Sequence, residues 1–219
     1  MTRRKALIPL QGVAASNRER RNKWEFKNWS YDLGYLVGVY LGDGNVYLVE
    51  NQTGYFRLSS IDKDFCSAVQ KKILSLTGYN SSIHWYESRR QWVLSFCNSD
   101  FARWLVKTFG RAKKKRIKTL PSLEANKGLI EGIFDSESTV IKYTTIVRMK
   151  GNLDPIRKVL KEQFKIRIGD KNISMKSRAC SIINGDRLDR ISISCKEYTR
   201  MGLGSYIKRK AINGILYKK

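Results

Sequence analysis

Two segments of the chain place very small residues at every fourth position and an acidic residue directly after the last of them. The first segment has Gly34, Gly38, Gly42 and Asp43, and the second has Gly128, Gly132, Ser136 and Glu137. Because residues four apart share one face of an α-helix, each segment predicts a helix with one face almost free of side chains. Such a face allows a second helix to approach until the two backbones touch. The best partner for each face is the other one.

This pairing predicts that Asp43 and Glu137 are neighbours at one end of a two-helix interface. A helix C-terminus carries about half a negative charge, so a carboxylate there is disfavoured by about 0.3–1 kcal/mol. Two such carboxylates side by side are disfavoured further unless a divalent cation lies between them, and Mg²⁺ prefers oxygen ligands of this kind. The pattern therefore predicts a metal site at a pseudo-twofold interface. The alternative is that each glycine-rich helix is simply buried and its acid is an exposed cap.

The charge of the chain indicates what it binds. Its 219 residues include 43 Lys and Arg against 19 Asp and Glu, a formal net charge of +24. An excess of this size favours binding to a polyanion. No apolar stretch has the length of a membrane span and no signal peptide opens the sequence. We therefore expect a nucleic acid rather than a membrane as partner, and an intracellular location in the cytoplasm, the nucleoid or an organelle.

Cysteine and histidine do not form a recognisable site. The four cysteines are widely spaced, without a C-x-x-C pair, and His84 is the single histidine. A zinc site needs clustered Cys and His ligands, so none is expected. Because His84 lies in an aromatic, strand-like segment, we interpret it as structural or nucleic-acid-contacting rather than as a catalytic base.

Hydrophobic periodicity divides the chain into two similar α+β units. Each is predicted as helix, two strands, helix, two strands, helix (αββαββα), and Gly44 is predicted to end the first helix in a left-handed conformation. The predicted organisation is a basic, flexible N-terminal arm at 1–29, a first unit at 30–110, a basic linker at 111–121, a second unit at 122–205 and a basic tail at 206–219.

The predicted strands alternate between apolar and polar or basic side chains, so each antiparallel sheet has one open polar face. Such a face fits the DNA major groove, where side chains read base edges. For any single strand the alternative is an ordinary solvated surface. The side chains assigned to DNA contact are Arg57, Arg89, Arg90, Gln91, Lys142, Arg148, Lys176, Arg178 and Arg190.

The two small-residue stripes lie inside two copies of a loose nonapeptide, LVGVYLGDG at 36–44 and IEGIFDSES at 130–138. With the matching order of elements around them, the chain resembles the LAGLIDADG homing endonucleases of the single-chain, two-repeat type. The resemblance implies a monomer with two pseudo-symmetric αββαββα units, whose antiparallel sheets form DNA-binding saddles. It also implies that the units are joined at a two-helix interface made by Gly34, Gly38, Gly42, Gly128, Gly132 and Ser136.

Within the two nonapeptides, two positions depart from the family pattern. Leu41 occupies the sixth position of the first motif, where Asp is frequent and where the second motif has Asp135. Ser138 replaces the final glycine of the second motif, which predicts a different helix end there.

The resemblance further implies which residues carry out the chemistry. In that family the acid at the eighth position of each motif binds divalent metals, and a strand lysine of each repeat lies near the scissile phosphate. The implied catalytic residues are Asp43, Glu137, Lys63 and Lys150, and the implied metal contacts are Asp43, Glu137, Gly42 and Ser136. Mg²⁺ is the implied cofactor; Mn²⁺ is expected to substitute for it, and Ca²⁺ is expected to bind without supporting cleavage.

The implied activity is metal-assisted hydrolysis of one phosphodiester in each strand of a long, asymmetric double-stranded DNA target. Two alternatives within the same family stay open. One is an RNA maturase that assists splicing of its host intron, with that RNA as its partner. The other is a non-catalytic DNA-binding regulator of the same fold. The presence of both acids and both lysines favours the nuclease.

Overall fold

The computed structural model describes residues 24–49, 53–141, 144–150, 152–166 and 188–202, and these form an α+β fold. The first unit comprises α1 (Tyr31–Leu41), β1 (Asn45–Leu48), β2 (Gly54–Ser60), α2 (Lys63–Thr77), β3 (Ser82–Tyr86), β4 (Gln91–Cys97) and α3 (Ser99–Phe109). The second comprises α4 (Leu123–Glu137), β5 (Ser138–Ile141), β6 (Thr144–Lys150), α5 (Asp154–Glu162), β7 (Leu188–Ser194) and α6 (Cys195–Arg200). The predicted fold class is confirmed. In the described residues, no helix is both long enough and apolar enough to cross a bilayer.

Each unit contains one antiparallel sheet. The strand order is β1-β2-β4-β3 in the first and β5-β6-β7 among the described strands of the second. The register places Arg57 opposite Asn45 and Ser95, and Arg148 opposite Arg190. Because side chains alternate along a strand, these polar residues share one face of their sheet. The residues between them are mostly buried, so each sheet has one face in the core and one open face.

The glycines of α1 and α4 bring the backbones of the two helices into contact. A Cβ built on Gly38 would lie 2.3 Å from the carbonyl oxygen of Leu129, and a Cβ on Gly132 would lie 2.2 Å from that of Tyr35. One turn earlier, a Cβ built on Gly34 or on Gly128 would lie 2.0 Å from a main-chain oxygen of the other helix. Each small-residue stripe therefore packs on the other, and even a methyl group would separate the helices.

The sixth positions of the two motifs are both buried at the helix interface. Asp135 is buried and accepts a hydrogen bond from the Tyr35 hydroxyl at 2.7 Å. One turn earlier the Tyr31 hydroxyl donates to Glu131. Leu41, at the sixth position of the first motif, is also buried. One side of the interface is thus polar, and tyrosine hydroxyls of the opposing helix donate to its two acids.

The ends of the two central helices differ from each other and from the prediction. The predicted left-handed conformation of Gly44 is wrong, because Gly44 is not among the described residues with positive φ. Instead, α1 ends at Leu41 with Gly42 as its C-cap, and the Gly44 N–H donates to the Val39 carbonyl at 2.8 Å. Position 44 has no room for a side chain, because a Cβ there would lie 2.7 Å from the Phe56 ring. In contrast, α4 runs directly into β5 through the extended backbone of Ser138.

The last residues of the predicted N-terminal arm pack on the first unit. The Trp24 ring lies 5.1 Å from Phe101 and 5.0 Å from Trp104 between ring centroids, and Trp29 lies 5.8 Å from Trp104. Trp24 and Trp29 bury apolar surface against α3, so this end of the predicted arm contacts the first unit, whereas residues 25–28 between them are exposed. Residues 1–23 lie outside the described part of the chain.

Candidate metal centre and nucleic-acid surface

Asp43 and Glu137 come together where α1 and α4 end. Gly42, which caps α1, is a point of close approach, since a Cβ there would lie 2.5 Å from the Ser136 Cβ and 3.0 Å from the Glu137 Cγ. Asp43 is exposed and Glu137 is half-buried. The four residues predicted to surround the metal therefore lie at one end of the two-helix interface, next to the first strand of each sheet.

The electrostatics of this end are unfavourable without a metal ion. Burial is the largest cause that raises the pKa of Glu137, and the charge of Asp43 raises it further; the charge of Lys115 partly opposes them, and the pKa is about 7. A divalent ion bound between the two side chains would stabilise their ionised forms and remove the repulsion between the two carboxylates. Among the described residues no group of three or more His, Cys, Asp or Glu could hold a metal. Two carboxylates with water and phosphate oxygens as the other ligands fit Mg²⁺.

The pKa of Glu137 predicts how metal binding changes stability with pH. Its folded-state pKa near 7, against an ordinary 4.5, means that the metal-free folded protein holds a proton that the unfolded chain has lost. This contribution to stability is present at low pH and declines as pH rises from about 4.5 to 7. Since Mg²⁺ competes with that proton, the increase in Tm caused by Mg²⁺ should be larger at pH 7.5 than at pH 5.5.

Thermal melts with and without Mg²⁺ at these two pH values check the prediction. The Glu137→Gln variant is the control, because it has no proton to displace and should show no such pH dependence. An equal Mg²⁺ effect on the wild-type Tm at both pH values would contradict a metal at Glu137.

Lys115 is a member of this site that sequence reasoning missed. Its ammonium donates to three main-chain carbonyl oxygens around Asp43, those of Tyr40 at 2.5 Å, Gly44 at 2.8 Å and Gly42 at 3.3 Å. Burial lowers the pKa of Lys115 to about 8, and the charges of Glu137 and Asp43 oppose that shift. In the sequence Lys115 is one of several basic residues in the linker, and nothing there distinguishes it from its neighbours.

The two lysines implied by the family resemblance lie in different elements. Lys63 is the first residue of α2 rather than a strand residue, because the Asp62 side chain caps that helix. The Lys63 ammonium lies 4.6 Å from the centroid of the Trp92 ring. Lys150 is the last residue of β6, opposite Leu188 in the register. A catalytic role for either lysine stays a prediction.

The open face of the first sheet carries an ordered cluster of two tyrosines and one arginine. The Tyr47 and Tyr55 rings are stacked, with centroids 5.1 Å apart and 16° between their planes. The Arg57 guanidinium lies 5.3 Å and 5.2 Å from the two centroids. No described residue accepts a hydrogen bond from its buried Nε. A guanidinium held against ring faces keeps its N–H edge for bidentate recognition of a base or phosphate.

The other residues assigned to DNA contact fall at two places. Arg89 and Arg90 are exposed in the connection between β3 and β4, and Gln91 follows them as the first residue of β4. Arg148 and Arg190 are exposed and directly opposite on the second sheet. Like charges in that position disfavour the isolated sheet, and a polyanion would relieve the repulsion. The assigned residues outside the described part of the chain are Lys142, Lys176 and Arg178.

Sequence comparison finds a family match for the first unit and a similar protein in another organism. Residues 30–110 match the family described as the LAGLIDADG-like domain. An uncharacterised protein of Methanocaldococcus jannaschii is 30% identical over 116 residues, which cover 51% of this chain and 40% of that protein. The match therefore spans less than half the length of that relative.

Solved structures with the same fold cover most of the chain. The homing endonuclease I-DmoI, in complex with DNA and Ca, has a TM-score of 0.58 at 14% identity, over 86% of this chain and 100% of that chain. Full-length DUF199/WhiA from Thermatoga maritima has a TM-score of 0.56 at 15% identity, over 92% of this chain and 64% of that chain. Residues 30–110 thus match the LAGLIDADG-like domain, and the chain as a whole shares the fold of the single-chain homing endonuclease I-DmoI.

Proposed function

We propose that this protein is a site-specific homing endonuclease, which makes double-strand breaks in a long, asymmetric DNA target by divalent-metal-assisted hydrolysis. The observation that carries the proposal is the convergence of Asp43 and Glu137 at the end of the two-helix interface, beside the first strands of both sheets. The homing endonuclease I-DmoI, which shares the fold, has been solved with target DNA and with Mn or Ca.

Each repeat would contribute one acid to the reaction. Asp43 and Glu137 would hold Mg²⁺, which when bound lowers the pKa of a water and stabilises the attacking and leaving oxygens. Lys63 and Lys150 would stabilise negative charge that develops on the phosphoryl oxygens. Because the two acids are related by pseudo-twofold symmetry, they suit two phosphates on opposite strands.

The two sheets would read different halves of the target. The first sheet presents Arg57 on stacked tyrosines, whereas the second presents Arg148 opposite Arg190. These unlike faces support an asymmetric site.

Arg57→Met is expected to relax the base preference at one position of the target. A bidentate Arg–guanine pair discriminates by about 1–3 kcal/mol, whereas a phosphate contact weakens binding to all sequences alike. Competition binding with duplexes substituted one base pair at a time measures the difference. Arg103→Met, which removes an equal charge from the exposed surface of α3, is the control. A uniform loss of affinity for every duplex would contradict base recognition by Arg57.

Binding to duplex DNA is expected to weaken steeply with salt. Each neutralised phosphate adds roughly −0.9 to the slope of log K against log salt concentration, and two basic sheets should engage several phosphates. Filter binding in Ca²⁺, with the preferred duplex and with a structured RNA of equal length, measures the slope and the preference. A shallow slope would contradict binding through phosphates. Preference for the RNA, without cleavage of any DNA, would favour the maturase.

The proposed function is tested by selection followed by cleavage. Duplexes that bind the protein in Ca²⁺ are recovered from a randomised library and then exposed to Mg²⁺, Mn²⁺ or EDTA. We expect double-strand ends at one sequence in Mg²⁺ and in Mn²⁺, and none in EDTA. Duplexes that are bound tightly but left intact in both metals would contradict the nuclease and favour the regulator.

A further inference from the structure

We propose that Lys115, which lies in the linker between the two repeats, is a positioning residue of the metal site. It holds the turn that carries Asp43 in the conformation that metal binding needs. This inference rests on the proposed function, and it adds a residue that belongs to neither motif.

The first argument is where the hydrogen bonds of Lys115 go. Its ammonium donates to carbonyl oxygens on both sides of Asp43, those of Tyr40, Gly42 and Gly44. The last carbonyls of a helix have no partner within the helix and carry its negative partial charge, so a cation there stabilises the helix end. The three oxygens are in different peptide units, and a single atom that bonds all three restrains the path of the main chain through Asp43.

The second argument is that these bonds use the full donor capacity of the side chain. An ammonium has three N–H donors and no acceptor. With all three directed at carbonyl oxygens, Lys115 is committed to the protein main chain and not to a phosphate. This distinguishes it from the lysines that the family resemblance assigns to chemistry.

The third argument is that the linker itself is held against the end of α1. The Tyr40 hydroxyl donates to the Gly110 carbonyl, and the Tyr40 ring lies 4.8 Å from the Lys115 ammonium. The Arg116 N–H donates to the Phe109 carbonyl at 2.6 Å. The linker is therefore fixed on both sides of Lys115, and the ammonium is presented to the site by a braced segment.

The ammonium also places a positive charge beside both acids. Electrostatic interactions join it to Glu137 and to Asp43. It therefore reduces the repulsion that would drive the two carboxylates apart before a metal arrives. Main-chain restraint and charge act in the same direction, since each keeps Asp43 close to Glu137.

The test compares Lys115→Met with Lys114→Met, which removes an equal charge from the adjacent, exposed linker residue. Single-turnover cleavage of the selected duplex is measured at saturating Mg²⁺, and Mn²⁺ affinity of the protein–duplex complex is measured by electron paramagnetic resonance. Because a small misplacement of a catalytic group can cost about 10²-fold in rate, we expect Lys115→Met to cleave about 10- to 100-fold more slowly. It should also bind Mn²⁺ more weakly, with duplex affinity in Ca²⁺ unchanged. Lys114→Met should behave like wild type.

Lys115→Arg keeps the charge but spreads its donors over a planar group, so it should fold and show a smaller loss of both rate and Mn²⁺ affinity. If Lys115→Met does not fold, the same two measurements on Lys115→Arg test the proposal. Wild-type rate and Mn²⁺ affinity in the folded variants would overturn the proposal, as would a loss confined to duplex affinity. Failure of the wild type to cleave any DNA would instead overturn the nuclease function.

Discussion

Replacing Asp43 by Asn, or Glu137 by Gln, is expected to abolish double-strand cleavage while duplex binding persists or tightens. Each change removes a carboxylate of the proposed metal site from the end of one central helix and leaves the shape of the side chain almost unaltered. A metal ion contributes several kcal/mol of transition-state stabilisation, so we expect the rate constant to fall by about a thousandfold or more. Binding should survive because removing a negative charge reduces repulsion of the phosphates.

This expectation is checked by single-turnover cleavage of the selected duplex in Mg²⁺, with binding measured in parallel in Ca²⁺. Glu124→Gln is the matched control, because Glu124 is an exposed acid on the same helix as Glu137. It should cleave at the wild-type rate. Normal double-strand cleavage by either site variant would refute the assignment of the two acids.

Gly38→Ala and Gly132→Ala are expected to destabilise the whole protein, and the leucine substitutions at these positions more so. The added Cβ of Gly38→Ala would lie 2.3 Å from the Leu129 carbonyl oxygen and 2.9 Å from the Gly132 Cα. These are main-chain atoms, which cannot move aside as a flexible side chain can. Overpacking typically costs about 1–3 kcal/mol and occasionally more, and we expect the upper end of that range because the whole interface has to separate.

The matched control is Gly78→Ala at the end of α2. Gly78 has φ of +74°, and a Cβ there would meet no atom within 4 Å. That substitution costs only the left-handed backbone conformation, roughly 1–2 kcal/mol. Denaturant unfolding of the variants measures the difference. A free energy of unfolding for Gly38→Ala equal to that of Gly78→Ala, or to that of wild type, would show that packing between the helices does not depend on the glycines.

The features that sequence reasoning predicted correctly are those that depend on local periodicity. Small residues at every fourth position predict a close helix pair, and Gly38 and Gly132 do meet opposing main-chain atoms. Alternation along a strand predicts the face of each side chain, which holds for Arg57 and for Arg190. In each case the spacing of residues within a single helix or strand is enough to make the prediction.

The features that could not be predicted from the sequence depend on contacts between distant segments. Lys115 lies 75 residues from Tyr40, whose carbonyl it bonds at the end of α1, and its local sequence is only a run of basic residues. Gly44 is a glycine because of the Phe56 ring and not because of its φ. The start of α2, in contrast, is a local feature, because Asp is a common N-cap residue and Asp62 caps this helix. That signal was readable in the sequence, and it would have placed Lys63 in the helix.

An anomalous difference map from a crystal of the protein with its selected duplex and Mn²⁺ tests the central claim most directly. The Mn²⁺ positions are read independently of any assumption about the reaction. We predict anomalous peaks between the duplex phosphates and the carboxylates of Asp43 and Glu137, with metal–oxygen distances of about 2.0–2.2 Å, as expected for a small hard cation. A bound duplex with no Mn²⁺ at these two carboxylates, or with Mn²⁺ only elsewhere, would contradict the account.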